Sequence, residues 1–324
     1  MTRAGWVIRW SRLALAATTA LCVGGATASA QRVTQQATPK TMPPRYDVDS
    51  AMARATQLRR QNRKAEAERV MARAVQMAPE RADARALRDQ LLQEVHGGEA
   101  MFGADVKSWR ERLPEWREGM LSARQNTAAG PVVARLSRVE RGPLSDERLE
   151  MEAYPAFPHG YLALGAGLAT GATVYARTTA SAEVYGSLTN QVEASLGYRR
   201  MNFDSSVDMI GGSLGAYVGS FLLGVRGSSV LRDGGSSVVL SARRFVGDEG
   251  AYVGAKLATG SVPVELRTPT DFAVRFNQAV SLEGKVHLLW RMVLAAEGEL
   301  GREGLLAGGS SQYSAMRVGI GVRY

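Results

Sequence analysis

Glu150 and Glu152 stand two residues apart in a stretch of alternating polarity, far along the chain from the three histidines, His96, His159 and His287. Paired carboxylates with a histidine do acid–base or hydrolytic work when a nucleophile stands within reach of them. No such set converges here, and no Cys/His cluster has metal-ligand spacing. The expectation is a chain without catalysis, metal or cofactor, in which Glu150 and Glu152 pair with neighbouring arginines. Gly165-Ala166-Gly167, followed by Gly171, looks like a phosphate-cradling loop, but its spacing is wrong and no helix follows it. Glycines that let strands bend explain it better.

The ionisable residues instead recur at every second position of apolar stretches. Val192, Ala194, Leu196 and Tyr198 alternate with Glu193, Ser195, Gly197 and Arg199, and Val280, Leu282, Gly284 and Val286 alternate with Ser281, Glu283, Lys285 and His287. Strand side chains alternate faces, so one set suits lipid and the other water. The same parity turns Arg124, Arg135, Arg141, Glu150, Glu152, Arg226, Arg243, Glu297 and Glu299 inward. With Glu193, Arg199, Glu283 and Lys285 these are the candidate lumen-lining residues. Such a mixed set either braces a nearly closed interior through ion pairs or lines a hydrated channel for polar solutes.

These faces call for strands that cross a membrane. The last nine residues place Met316, Val318, Ile320, Val322 and Tyr324 on one face and end on an aromatic, as a barrel-closing strand does. This strand is the expected handle for barrel-assembly machinery. Turn signals from residue 99 onward mark about 14 antiparallel strand candidates. The count becomes 12 or 16 if segments merge or split. They include 173 to 185, 236 to 246, 290 to 301 and 312 to 324. The longest connections, Thr259 to Arg275 and Gly301 to Ser311, fall outside if the first strand runs outward. Tyr154, Tyr161, Tyr175, Tyr185, Tyr217, Tyr252, Trp109, Trp116 and Trp290 lie mostly near strand ends and read as interfacial girdles.

Ahead of the barrel, residues 1 to 30 carry Arg3, Arg9 and Arg12, an apolar run, and Ala28-Ser29-Ala30, which together read as a secretory signal peptide. Cys22, the sole cysteine, lies within it, so no disulfide is expected. Residues 31 to 44 read as a linker. Residues 45 to 97 are a helical segment expected in the periplasm, with the spacing of one tetratricopeptide-like repeat at Ala55, Leu58, Ala67, Met71 and Pro79. One such unit must pack on the barrel, a protein partner or another copy. The barrel is residues 98 to 324. No later stretch is long and apolar enough for a transmembrane helix. Residues 31 to 97 hold 13 Lys and Arg against 8 Asp and Glu, and residues 98 to 324 hold 24 against 23. The basic excess therefore lies before the barrel, and nucleic-acid binding loses its basis.

The segments EMEAYPAFPHGYLALGAG from Glu150, EASLGYRRMNF from Glu193, GSLGAYVGSFLLGVR from Gly212 and SARRFVGDEGAYVGAKLATGS from Ser241 resemble the YaiO family of outer-membrane β-barrel proteins, over most of residues 99 to 324. The preceding helices are similar to that family's arrangement. Tyr324 stands where phenylalanine is the commoner end, and the repeat region is reduced. The resemblance implies an all-β transmembrane barrel in the outer membrane and no catalytic residue. Its layout is similar to the far ends of exopolysaccharide exporters, and so implies a non-enzymatic channel or support for export of a polar polymer. The alternative is a closed structural or interaction barrel.

Overall fold

The structure, a computed structural model, describes residues 48–60, 63–110, 114–171, 173–232, 235–246, 251–261, 274–288, 291–305 and 309–324. The expected signal peptide, the linker and Trp290 lie outside them. Among the described residues three helices come first: α1 (Val48–Arg60), α2 (Lys64–Met77) and α3 (Ala82–His96). Their small apolar residues, Ala51, Ala55, Ala67, Ala74 and Ala84, allow close approach around Leu58, Met71 and Leu91, forming a buried core of their own. Pro79 lies between α2 and α3, and Gly97 ends α3 by donating its N–H to Gln93 O.

The strands then follow without a break: β1 (Gly98–Trp109), β2 (Trp116–Gln125), β3 (Val132–Arg141), β4 (Leu144–Ala153), β5 (Ala156–Phe157), β6 (Gly160–Ala169), β7 (Thr178–Ser187) and β8 (Val192–Asn202). The series continues with β9 (Ser206–Val218), β10 (Phe221–Val230), β11 (Ser236–Val246), β12 (Ala251–Gly260), β13 (Val274–Leu288), β14 (Met292–Leu305) and β15 (Ser310–Arg323). Each long strand pairs antiparallel with the next, β4 pairs directly with β6, and β1 pairs with β15. Leaving aside the two-residue β5, the result is a closed barrel of 14 strands. Closure leaves no edge, which a sheet needs in a solvent that cannot hydrogen-bond its backbone.

The register fixes the two faces. Phe102 pairs with Ile320, and Leu257 with Val280, and these side chains point outward, where Leu168, Leu196, Leu282 and Leu300 are 63 to 70 % exposed. So large an apolar belt, carried by β1 and by β4 to β15, is a lipid contact surface. Met316, Val318, Ile320, Val322 and Tyr324 all belong to it.

Two boundaries differ from the expected ones by more than two residues. β14 runs on to Leu305, because Gly301, Arg302, Glu303 and Gly304 pair with Tyr313 to Ser310. The long connection expected at Gly301 to Ser311 is therefore mostly strand. A side chain at 301 would collide with the Tyr313 ring, so the glycine reads as a turn but serves close packing. In the other case, the strand expected from 173 begins only at Thr178.

Candidate functional site

All thirteen residues expected to line the lumen carry inward parity, opposite the exposed apolar series. The structure brings many of them together. Arg243 meets Glu283 at 2.5 Å, and Lys256 joins Glu283 at 2.7 Å to Glu297 at 2.9 Å. Arg317 continues the chain from Glu297 at 3.4 Å to Asp105 at 2.8 Å. Lys285 reaches Glu99 at 2.9 Å, and Arg226 grips both oxygens of Glu183 at 2.8 Å. Arg135 and Arg148 share Glu150, at 3.3 and 3.1 Å.

The others have different surroundings. Arg141 lies over the Trp109 ring at 5.5 Å, and Glu299 accepts the Tyr313 hydroxyl at 2.7 Å. Glu152 accepts the Tyr154 hydroxyl, a correction to the arginine pairing expected for it. Arg199 lines an inner cavity of about 380 Å³, whose floor includes Gly165, Gly197 and Gly211. Arg124 lies at the helix-bearing mouth. Sequence reasoning missed Asp105, Lys107, Asp146, Arg148, Glu183, Lys256, Glu303 and Arg317, although each obeys the same alternation.

The pairs join side chains no more than three strands apart: Glu183 to Arg226 spans β7 to β10, and Lys285 to Glu99 spans β13 to β1 round the seam. A 14-strand barrel has a backbone radius of about 14 Å, so these pairs run along the wall and do not cross the axis.

At the rim away from the helices, residues 173 to 177 turn inward. The loop is clasped at its base by Ala169 N–H to Arg177 O at 3.0 Å. Asp146 on β4 holds its tip: one carboxylate oxygen accepts the N–H groups of Thr173, Val174 and Tyr175 at 2.7, 2.6 and 3.0 Å, and the other accepts the Thr173 hydroxyl. Gly171 permits this, since a Cβ there would collide with Asp146 Oδ1. Val174 and Tyr175 bury against Trp116 and Val139, with Arg148 over the Tyr175 ring at 4.1 Å. Ala176 packs with Met201, Val207, Met209 and Val230 on the neighbouring sector. The segment thus narrows the far mouth over inner-face residues from β2 to β10.

At the opposite rim, α3 is pinned to the β2–β3 turn: Gln125 Nε2 donates to His96 O at 2.6 Å, and Asn126 Nδ2 to Gln93 O at 3.2 Å. A cavity of about 500 Å³ separates the helices from the barrel wall, bounded by Lys64, Glu94, Arg124, Asn126, Tyr154 and Tyr161. The helices carry exposed ion pairs. Two hydrogen bonds from Arg81 hold the Asp83 carboxyl down at about 2.

The girdle expectation is corrected for eight of its aromatics. Tyr154, Tyr161, Tyr185, Tyr217 and Tyr252 have inward parity, Trp109 and Trp116 face the far lumen, and Tyr175 sits in the inward loop. Each of the five tyrosines lies an even number of residues from an inward partner, as Tyr185 does from Glu183 and Tyr154 from Glu152. Nearness to a strand end did not decide the face; parity did.

Among the described residues no group of three or more His, Cys, Asp and Glu is placed to hold a metal ion. A family model described as the YaiO membrane beta barrel domain matches residues 99–265, which covers β1 to β12. No curated protein matches the chain. Solved structures with a similar fold include the outer membrane protein Omp33 of Acinetobacter baumannii (9% identity, 70% of this chain and 99% of that one, TM-score 0.45). Others are a bacterial polysaccharide outer membrane secretin (9%, 72% and 98%, 0.44) and the KdgM porin (10%, 68% and 98%, 0.38). With its 14-strand closed barrel, lipid-facing belt and matched region, the chain belongs to the YaiO family of outer-membrane β-barrels.

Proposed function

We propose that this barrel is a non-enzymatic conduit for export of a polar polymer of the exopolysaccharide type. In this reading helices α1 to α3 lie on the periplasmic side and dock a protein partner. The C-terminal strand, with Met316 to Tyr324 facing lipid, is the segment that barrel-assembly machinery would engage. The observation that carries the proposal is the course of the ion pairs along the wall, which leaves the axis to water and solute. At the far mouth the lumen is narrowed by a short loop on one carboxylate, and a release of a few hydrogen bonds would widen it.

Single-channel recording of the refolded mature chain in planar bilayers tests this. Steady conductance that shifts in Glu297→Gln and Arg243→Gln variants is the expected result. The second reading, a closed structural barrel, is favoured by the Asp146 clasp and the apolar packing beneath it. Silent bilayers for both the wild type and Asp146→Ala would establish that reading and overturn the conduit.

A further inference from the structure

The inner wall at the helix-bearing mouth is chemically divided. On one arc, from β6 to β12, the inward positions nearest this mouth carry Tyr161, Tyr185, Glu193, Tyr217, Leu222, Phe245 and Tyr252, with Tyr154 just beyond β4. The remaining arc mixes charge with valine: Arg323, Glu99 and Arg124 stand between Val293 and Val133, and Lys285, one step deeper, pairs with Glu99. The aromatics are not a packed core. None of the six is buried, Tyr217 is 44 % exposed, and Tyr161 and Tyr185 stack on one another at 4.4 Å, which leaves each with one outer ring face. Within this arc stands Glu193, paired across β8–β9 with Gly215 and directly following Val192. Its carboxylate has no hydrogen-bond or ion-pair partner among the described residues, unlike those of Glu150, Glu183, Glu283 and Glu297.

Aromatic faces beside a free hydrogen-bond acceptor and a small-residue floor suit a ligand with apolar C–H faces and a rim of hydroxyl donors. Pyranose rings have that form. An anionic sugar would meet the uncompensated Glu193 charge and be repelled. We propose that this aromatic arc with Glu193 is a binding subsite for the pyranose units of an uncharged saccharide chain entering from the helix-bearing side. Tyr154 and Tyr161 border the cavity under the helices, while Tyr154 and Tyr185 border the inner cavity with the glycine floor. The arc therefore lies where a chain passes from one space to the next. The inference rests on the conduit reading and names its substrate class.

Calorimetry on the full mature chain in nanodiscs tests it, with cellohexaose, maltohexaose and a galacturonate hexamer as probes. At least one neutral hexaose should bind, and the galacturonate should not. Tyr217→Ala should weaken binding by about tenfold, while Tyr217→Phe keeps it, since the ring face is the contact. Glu193→Gln should admit galacturonate, a gain that a folding defect would not give. Absence of binding by both neutral probes, equal binding by Tyr217→Ala, or preference of the wild type for galacturonate would each overturn the subsite. A barrel that conducts but ignores the neutral probes sinks this inference alone. One that binds them but never conducts sinks the conduit alone.

Discussion

The carboxylate of Asp146 receives the backbone N–H of Val174 at 2.6 Å, tying a strand of the wall to the inward loop of a connection 28 residues away. Two more amides share the same oxygen. Asp146→Ala removes an acceptor from three donors at once, and each donor left without a partner costs about 1–3 kcal/mol unless water reaches it. At the far mouth water is near, so the expected outcome is release of the loop and not unfolding of the barrel. Single-channel traces should show a larger or longer-lived open state, while the temperature at which the folded band disappears on SDS gels falls only slightly.

Glu283 is expected to be the most sensitive residue of the wall network. Its side chain is only 7 % exposed and meets both Arg243 and Lys256. Glu283→Gln leaves two cations facing one another, at a cost of about 3 kcal/mol. Adding Lys256→Met should recover part of the loss, and urea unfolding in lipid vesicles measures both variants.

On the outer face, Leu282 is 67 % exposed to lipid. Leu282→Arg should destabilise the barrel by about 2–4 kcal/mol, whereas Leu282→Ala should cost far less. Equal effects in vesicle refolding titrations would mean that the side chain does not face the hydrocarbon.

In the helices, Arg81 donates to both oxygens of Asp83 and to Asp49, and holds the Asp83 carboxyl at about 2. A carboxyl depressed by folding adds stability above its ordinary, unfolded value, and that contribution is lost as pH falls through the folded value. NMR titration of Asp83 should therefore give a midpoint near 2, moving up toward the ordinary range in Arg81→Gln. Both sites are exposed, so the effect on overall stability is small.

Most of the barrel was legible because period-two alternation survives wherever a strand separates lipid from lumen. β11 begins and ends at the expected residues, Ser236 and Val246, since its alternation is bounded by glycine on either side. Inward placement of Arg226, Arg243 and Glu297 followed from the same parity. Residues 173 to 177 were illegible for a different reason. Thr173-Val174-Tyr175 alternates like a strand, but its amides are captured by Asp146, a contact set by tertiary structure and not by local pattern. The tyrosines of the helix-bearing mouth were readable in principle. Counting back from each to the nearest inward carboxylate gives its face, whereas nearness to a turn does not.

The wall pairs, with arginine and lysine answered by glutamate and aspartate one to three strands away, bear on how a permeating ion is sorted. Sign is largely cancelled along the stretch from β10 round to β1, so that part of the wall presents little net field to anything moving past it. Small cations and anions in a salt gradient would then cross at similar rates, and the reversal potential would lie close to zero. Discrimination along that stretch falls to width and to the surfaces that a solute can rub against, and the sign of a solute is read at Glu193 on β8, outside it.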